Sequence, residues 1–224
     1  MELAAEGIFI GRDRLARVRR EEGLHCIQKR AFKVTTNSNH ALPIAENLLE
    51  QRFEATSPNQ IWVSDLSYVR TAEGWLYVAG IKDVFTCEIT GYAMGARMTQ
   101  DLVSQALWMA VKTKRPPMGL ILHSDRGSQY CSHSYRKQLQ QFGLIPSMSR
   151  RGNCYDNAPM ESFWGSLKNE LIHHRHYATR SEAMASIREY IEIFYNRQRR
   201  QSRLGYRTPA QFARDANKQC LNCA

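Results

Sequence analysis

Three carboxylates sit in settings that call for a chemical explanation. Asp65 interrupts the apolar stretch Ile61-Trp62-Val63-Ser64-Asp65-Leu66-Ser67-Tyr68-Val69, and Asp125 closes Leu120-Ile121-Leu122-His123-Ser124-Asp125. Glu161 follows in Asn157-Ala158-Pro159-Met160-Glu161-Ser162-Phe163-Trp164, with 35 residues between it and Asp125. An apolar run that ends in Asp reads as a buried strand with a carboxylate at or near its end. Carboxylates are hard oxygen ligands suited to Mg²⁺, which binds through few protein groups plus substrate phosphate. Two such ions about 3.5–4 Å apart can hold the attacking and leaving oxygens of an in-line displacement at phosphorus. Without metal, three converging carboxylates repel one another, which makes the cluster costly as mere structure. Asp65, Asp125 and Glu161 are therefore read as catalytic and as ligands of one site for two Mg²⁺ ions, with Mn²⁺ as a substitute.

The elements that must position these groups follow from periodicity. Asn157 can cap a helix with Pro159 in its first turn, and Met160, Phe163, Trp164, Leu167 and Leu171 recur at helical spacing. Glu161 and Lys168 are two turns apart and share another face, a carboxylate for metal beside a lysine for phosphate. Upstream, Ile61 to Arg70, Trp75 to Asp83 and Cys87 to Ala96 read as strands, the first two joined by the turn Thr71-Ala72-Glu73-Gly74. Thr99 to Lys112 reads as a helix whose core face is Leu102, Val103, Ala106, Leu107 and Ala110. Gly119 to His123 is a fourth strand, Ser132 to Phe142 a helix and Leu144 to Met148 a fifth strand. Thr179 to Tyr195 is a further amphipathic helix, and Thr208-Pro209 opens a last one. The chain thus divides into a helical segment at 1–32, a linker at 33–60, an α/β core at 61–172 and a basic helical extension at 173–224. In the first segment Arg12 to Glu22 makes a basic helix with Leu15, Val18 and Leu24 inward, like half of a helix-turn-helix.

The 224 residues carry a formal charge of +10, which favours a polyanionic partner. The excess is greatest after residue 148, where 13 basic residues face 7 acidic ones. Ser149 to Ala158 reads as a mobile loop in which Arg150 and Arg151 suit phosphate and Tyr155 suits a base. Arg197, Arg199, Arg200 and Arg203 form a second candidate phosphate-binding run; such charge runs also occur simply as solvated faces. Asp83, at the end of a strand, is a rival carboxylate, while His123 and Arg126 flank Asp125 either as supporting groups or as solvated strand-end residues. Among six scattered cysteines only Cys220 and Cys223 have metal-ligand spacing; a zinc site would need a second pair, for which His173, His174 and His176 are the nearby candidates, and loose thiols are the plainer reading. His40 reads as a linker residue. No apolar run approaches the ~20 residues of a membrane span, and the start lacks a secretory pattern, so a cytoplasmic location is expected. No Gly-rich phosphate cradle supports use of ATP.

These blocks carry a resemblance. Trp62 to Tyr68, His123 to Tyr130, Ser149 to Lys168, and Tyr195-Asn196 through Gly205 to Phe212 resemble the catalytic core of retroviral integrases and related DDE transposases. Within these the similarity is to the second-frame (OrfB) transposases of the IS-three group of insertion sequences, and it extends over about residues 33–214. It implies a ribonuclease H-like fold, a five-stranded mixed sheet flanked by helices, and a DDE triad made of Asp65, Asp125 and Glu161. It further implies DNA cleavage followed by strand transfer, with double-stranded element ends and target DNA as partners. A homo-oligomer on paired ends and an upstream-frame OrfA product or fusion are also implied. Two other readings stay open on the residues alone: a DNA-binding remnant that no longer catalyses, and a plain nuclease.

Overall fold

The structure is a computed structural model and describes residues 2–24 and 42–222. The readings of His40 as a linker residue and of Cys220 and Cys223 as a ligand pair fall outside what it describes. The chain separates into two compact units, Met1–Lys33 and Val34–Ala224.

In the first unit α1 spans Glu2–Ala5 and α2 spans Arg12–Glu21. Here the structure corrects an expectation. Leu15, Val18 and Leu24 do not face inward; α2 buries none of its residues, and all three side chains are exposed. A four-residue α1 offers too little surface to cover them.

The second unit holds β1 (Ile61–Thr71), β2 (Gly74–Asp83), β3 (Ile89–Gly95), α3 (Gln100–Lys114), β4 (Ile121–Ser124), α4 (Ser128–Cys131), α5 (His133–Gln141), β5 (Ile145–Met148), α6 (Ala158–Glu170), α7 (Arg180–Glu189) and α8 (Pro209–Asn222). The sheet order is β3-β2-β1-β4-β5. The first three strands pair antiparallel, while β4 pairs parallel with β1 and with β5. This is the expected five-stranded mixed sheet flanked by helices.

Alternation along β1 and β2 divides the core in two, because successive side chains point to opposite faces. Val63, Val69, Leu76 and Val78 pack against Met160, Phe163, Trp164 and Leu167 of α6 and Ile187 of α7. Trp62, Leu66, Ala79 and Ile81 pack against α3 and against Tyr130, Tyr135 and Leu139. All five residues expected on the core face of α3 are buried. That helix lies almost backbone-to-backbone on β3: a Cβ at Gly91 would stand 2.3 Å from the Ala106 carbonyl oxygen.

Three regions differ from the sequence reading. The helix expected from Ser132 starts one residue later as α5, and Ser132 caps it by accepting from the Tyr135 N–H at 3.4 Å. The helix expected to run from Thr179 to Tyr195 changes at Glu189 into a π-helical segment, Tyr190–Gln198. There Asn196 donates to the Ile89 carbonyl and accepts its N–H, both at 3.0 Å, as a paired strand would. The described part of the linker is docked on the core. Leu49 is buried, the Leu48 N–H donates to Ser147 Oγ at 3.0 Å, and the Met148 N–H donates to the Glu46 carbonyl at 3.2 Å.

Candidate active site and its basic surroundings

Asp65 lies in mid-β1 and shares parity with Val63, so it faces α6. The parallel register pairs Val63 with His123. Carried two residues on, it sets Asp65 level with Asp125 just past β4, on strands spaced roughly 4.8 Å apart. Glu161 lies in the first turn of α6, whose apolar residues bring it over this part of the sheet. The approach depends on Gly80, the cross-strand partner of Asp65. A Cβ at Gly80 would lie 3.1 Å from both Met160 Cε and the Trp164 ring.

Electrostatics tie the three carboxylates together. The pKa of Asp65 is pushed up to about 8. Burial is the main cause, the charge of Asp125 comes next, and that of Glu161 adds to both; hydrogen bonds from the Leu66 backbone and from Trp164 oppose the rise. Trp164 Nε1 donates to Asp65 Oδ2 at 3.1 Å, and the Gly127 N–H donates to Asp125 Oδ1 at 2.9 Å. Partial burial also raises Glu161, whose residue surface is still exposed. Lys168 is half-buried 5.4 Å from the Tyr68 ring centroid. Burial lowers its pKa, and the charge of Asp65 resists that.

The donor set is chemically suited to a hard divalent cation: all three donors are carboxylates, held where their charges repel. Among the described residues, however, no three His, Cys, Asp or Glu side chains are gathered closely enough to form a finished ligand cage. Asp65 lies within β1, Asp125 lies just past the end of the neighbouring β4, and Glu161 is exposed on α6.

The rival groups are occupied elsewhere. Asp83 is buried; its Oδ2 accepts from the Asn59 N–H at 2.7 Å and Trp62 Nε1 at 3.2 Å, and its Oδ1 from the Thr86 N–H at 2.7 Å and hydroxyl at 3.1 Å. His123 is fully buried between Ser147 Oγ at 2.9 Å and Ser149 Oγ at 3.1 Å, and burial lowers its pKa to about 4, so it is neutral near pH 7. Arg126 Nε donates to the Ser149 carbonyl at 2.6 Å.

The basic candidates sort into two groups. Arg151 and Tyr155 are exposed, as are Arg197 and Arg200. Arg150 instead grips Asp156, with Nε at 3.1 Å and Nη2 at 3.0 Å. Arg199 is bidentate to Glu170 at 2.7–2.9 Å, and Arg203 Nη2 donates to the Phe53 carbonyl at 3.0 Å. Asp156 is the hub of its loop: it also accepts from the Arg150 N–H, Asn47 and Gln51. The Asn157 side chain does not cap α6 as expected; it donates to the Ser64 carbonyl at 3.0 Å, one residue from Asp65.

Sequence reasoning missed Gly80, Trp164 as a donor, and Tyr130. Tyr130 is fully buried with its hydroxyl 3.1 Å from Ser64 Oγ, and its pKa lies well above the usual value through burial and then the charges of Asp65 and Asp125. The only sequence signal for Gly80 was a glycine inside a strand pattern, a sign of close approach by another element.

Comparisons with known proteins bear on the family and the fold. The family model described as integrase core domain matches residues 55–154, and a second model of the same description matches residues 161–216. A Shigella sonnei protein named "Insertion element IS600 uncharacterized 31 kDa protein" is 66% identical over 211 residues, covering 94% of this chain and 78% of that one. Transposase InsF for insertion sequence IS3A, from Escherichia coli strain K12, is 44% identical over 211 residues, covering 94% of this chain and 73% of its own. A simian T-cell lymphotropic virus intasome chain superposes with a TM-score of 0.61 at 15% identity, over 80% of this chain and 60% of that one. The HTLV-2 integrase catalytic core domain, solved with magnesium, superposes with a TM-score of 0.56 at 14% identity, over 71% of this chain and 99% of that one. At such identities the two structures speak for the fold, which is ribonuclease H-like. No helix among the described residues is long and apolar enough to cross a membrane.

Proposed function

The chain belongs to the IS3-type insertion-sequence transposases with a retroviral-integrase-like core, and from that premise we propose that it cuts and joins DNA strands through Asp65, Asp125 and Glu161. The observation that supports this reading is the register that sets Asp65 level with Asp125 on adjacent strands, with Glu161 in the first turn of the helix packed over them; there burial and the two neighbouring charges push the pKa of Asp65 up. Its only side-chain donor is Trp164, whereas a structural carboxylate such as Asp83 gathers several. Asp65 and Asp125 would share two Mg²⁺ ions, with Glu161 turning inward to complete the second, and Mn²⁺ would substitute. Bound there, the ions supply Lewis-acid stabilisation and hold the attacking and leaving oxygens in line.

The rest is the work of side chains. In the first step a water oxygen bonds to the phosphorus at the element end as the bond to the 3′ oxygen breaks, freeing a 3′-hydroxyl. In the second that hydroxyl bonds to a target phosphorus as another P–O bond breaks. Neither step leaves DNA attached to the protein. Trp164 fixes the rotamer of Asp65 by its indole hydrogen bond. Lys168, on the same face of α6 as Glu161, holds the phosphate backbone beside the reacting group. Arg151, Tyr155, Arg197 and Arg200 engage duplex DNA at element ends and target. Arg150 and Arg199 reach it only with the charge left after Asp156 and Glu170, whereas Arg203, bound to the neutral Phe53 carbonyl, keeps its full charge. Two paired ends imply more than one copy of the chain, and an upstream-frame OrfA partner fits the same assembly.

Asp125→Asn and Glu161→Gln test the assignment on labelled element-end DNA in Mg²⁺ or Mn²⁺. The expected result is nicked and joined product from the unsubstituted protein, loss of both by more than about 10³-fold in each variant, and retained DNA binding. Cleavage that survives either substitution removes that residue from the site.

A further inference from the structure

Helix α6 has a second functional face. At 100° per residue Glu161 and Lys168 fall within about 20° of each other, while Pro159, Ser162 and Ser166 point roughly 100–160° away. That other face lines a groove of about 580 Å³, closed on its far side by Arg199, Arg200, Arg203 and Tyr206. No Asp or Glu is among its lining residues.

Its charge is not balanced internally. Arg199 is neutralised by Glu170, which leaves Arg200, Arg203 and Lys82. Arg200 is exposed, and Arg203 has only the neutral Phe53 carbonyl as a partner. Lys82 is the telling residue. It is 6% exposed, its Nζ donates to the Pro159 carbonyl at 3.1 Å, and no ion pair joins it to a carboxylate among the described residues. A buried cation without a counter-charge is costly, and buried charges are ordinarily paired. The hydroxyls of Ser162 and Ser166 stand one helical turn apart along the same wall. Ser166 presently donates back to the Ser162 carbonyl at 3.1 Å, so both hydroxyls can turn toward a ligand.

We infer that this groove is a second track for the backbone of duplex DNA. Lys82, Arg200 and Arg203 take phosphates there, and Ser162, Ser166 and Tyr206 donate to phosphate oxygens. This rests on the proposed function and deepens it: α6 becomes a wall between two DNA-contacting surfaces, with the reacting phosphate on one side and a non-reacting stretch of duplex on the other. Such contacts position DNA without reading its sequence.

The test is fluorescence anisotropy of the full chain with a labelled 30-base-pair duplex, from 50 to 200 mM KCl, beside the cleavage assay. The variants are Arg200→Ala/Arg203→Ala and Ser162→Glu, both on exposed positions, with Arg115→Ala at the exposed end of α3 as control. For the double variant the slope of log affinity against log salt is expected to fall by about 2 and affinity at 100 mM salt by about tenfold. Ser162→Glu should weaken binding similarly, with an unchanged melting temperature, and Arg115→Ala should change neither quantity. Unaltered slope and affinity in a protein that still cleaves would overturn the groove and leave the proposed function standing. Groove-dependent binding with no cleavage by any protein would do the reverse. No DNA binding by the unsubstituted chain would overturn both.

Discussion

Asp65 and Asp156 illustrate opposite surroundings for a carboxylate drawn into the fold. Asp156 is fully buried and accepts five hydrogen bonds, three of them from Arg150, so its pKa is held well below the usual carboxylate range, chiefly by that arginine. Asp83 follows the same pattern with four donors. Asp65 has a single side-chain donor, Trp164, so burial, and after it the charges of Asp125 and Glu161, move its pKa the other way. The fold evidently can satisfy buried carboxylates, as it does at Asp83 and Asp156. Asp65 lacks such a set of donors, and a divalent cation bound as proposed would reverse the sign of its surroundings.

The sharpest way to break this contrast is to delete the satisfied carboxylate. Asp156→Ala should destabilise the protein by about 3 kcal/mol, because it strands Asn47, Gln51 and the Arg150 backbone N–H without an acceptor. Guanidinium exposure limits the cost, since the Arg150 side chain keeps 56% of its surface in water. Chemical denaturation gives the number. A loss under about 1 kcal/mol would mean that the loop from 149 to 158 is as mobile as its composition suggests, and that Asp156 is no hub.

A smaller effect separates position from charge. Gly80→Val places a branched side chain where even a Cβ would meet Met160 and Trp164 at 3.1 Å. The cost should be about 2 kcal/mol, typical of an overpacked core. Because the displaced helix carries Glu161 and the Trp164 donor, cleavage should fall further than the lost stability accounts for, with DNA affinity unaltered at temperatures where the variant is folded. Equal activity per folded molecule would show that α6 need not lie so close to Asp65.

Much of this arrangement was legible from residue types, and the remainder was not for definite reasons. The strands and the α3 core face follow from periodicity, which is local. The proposed triad draws on three separated blocks of residues whose chemistry makes sense only together. What stayed hidden depends on distant partners. Asn47 and Gln51 read as linker residues because nothing in their neighbourhood announces Asp156, more than a hundred positions away. Arg150 and Arg199 looked available for phosphate because a charge run does not reveal its own counter-ions. The helix ending at Tyr195 could not be seen to become π-helical, since the cause is Asn196 docking on Ile89 of the sheet edge.

The last comparison uses pH to ask whether Asp65 is strained by its neighbours. Folding raises its pKa from an ordinary value near 3.8 to about 8. Between those values the folded protein keeps a proton that the unfolded chain releases, so stability falls as pH rises through the window and is fully present only below it. Asp65→Asn removes the charge but keeps the shape and can still accept from Trp164. In metal-free buffer at pH 8 it should therefore raise stability by about 1 kcal/mol, or roughly 2–4 °C for a domain of this size. The gain should shrink steadily toward pH 4, where the native carboxyl is already protonated. Added Mg²⁺ should raise the melting temperature of the unsubstituted protein at pH 8 and leave the variant nearly unmoved, since only a species that binds the folded state adds stability by mass action. A variant that melts below the parent at pH 8 without metal would mean that Asp65 is as well satisfied as Asp156, and the case for a metal at the cleft would lose its physical basis.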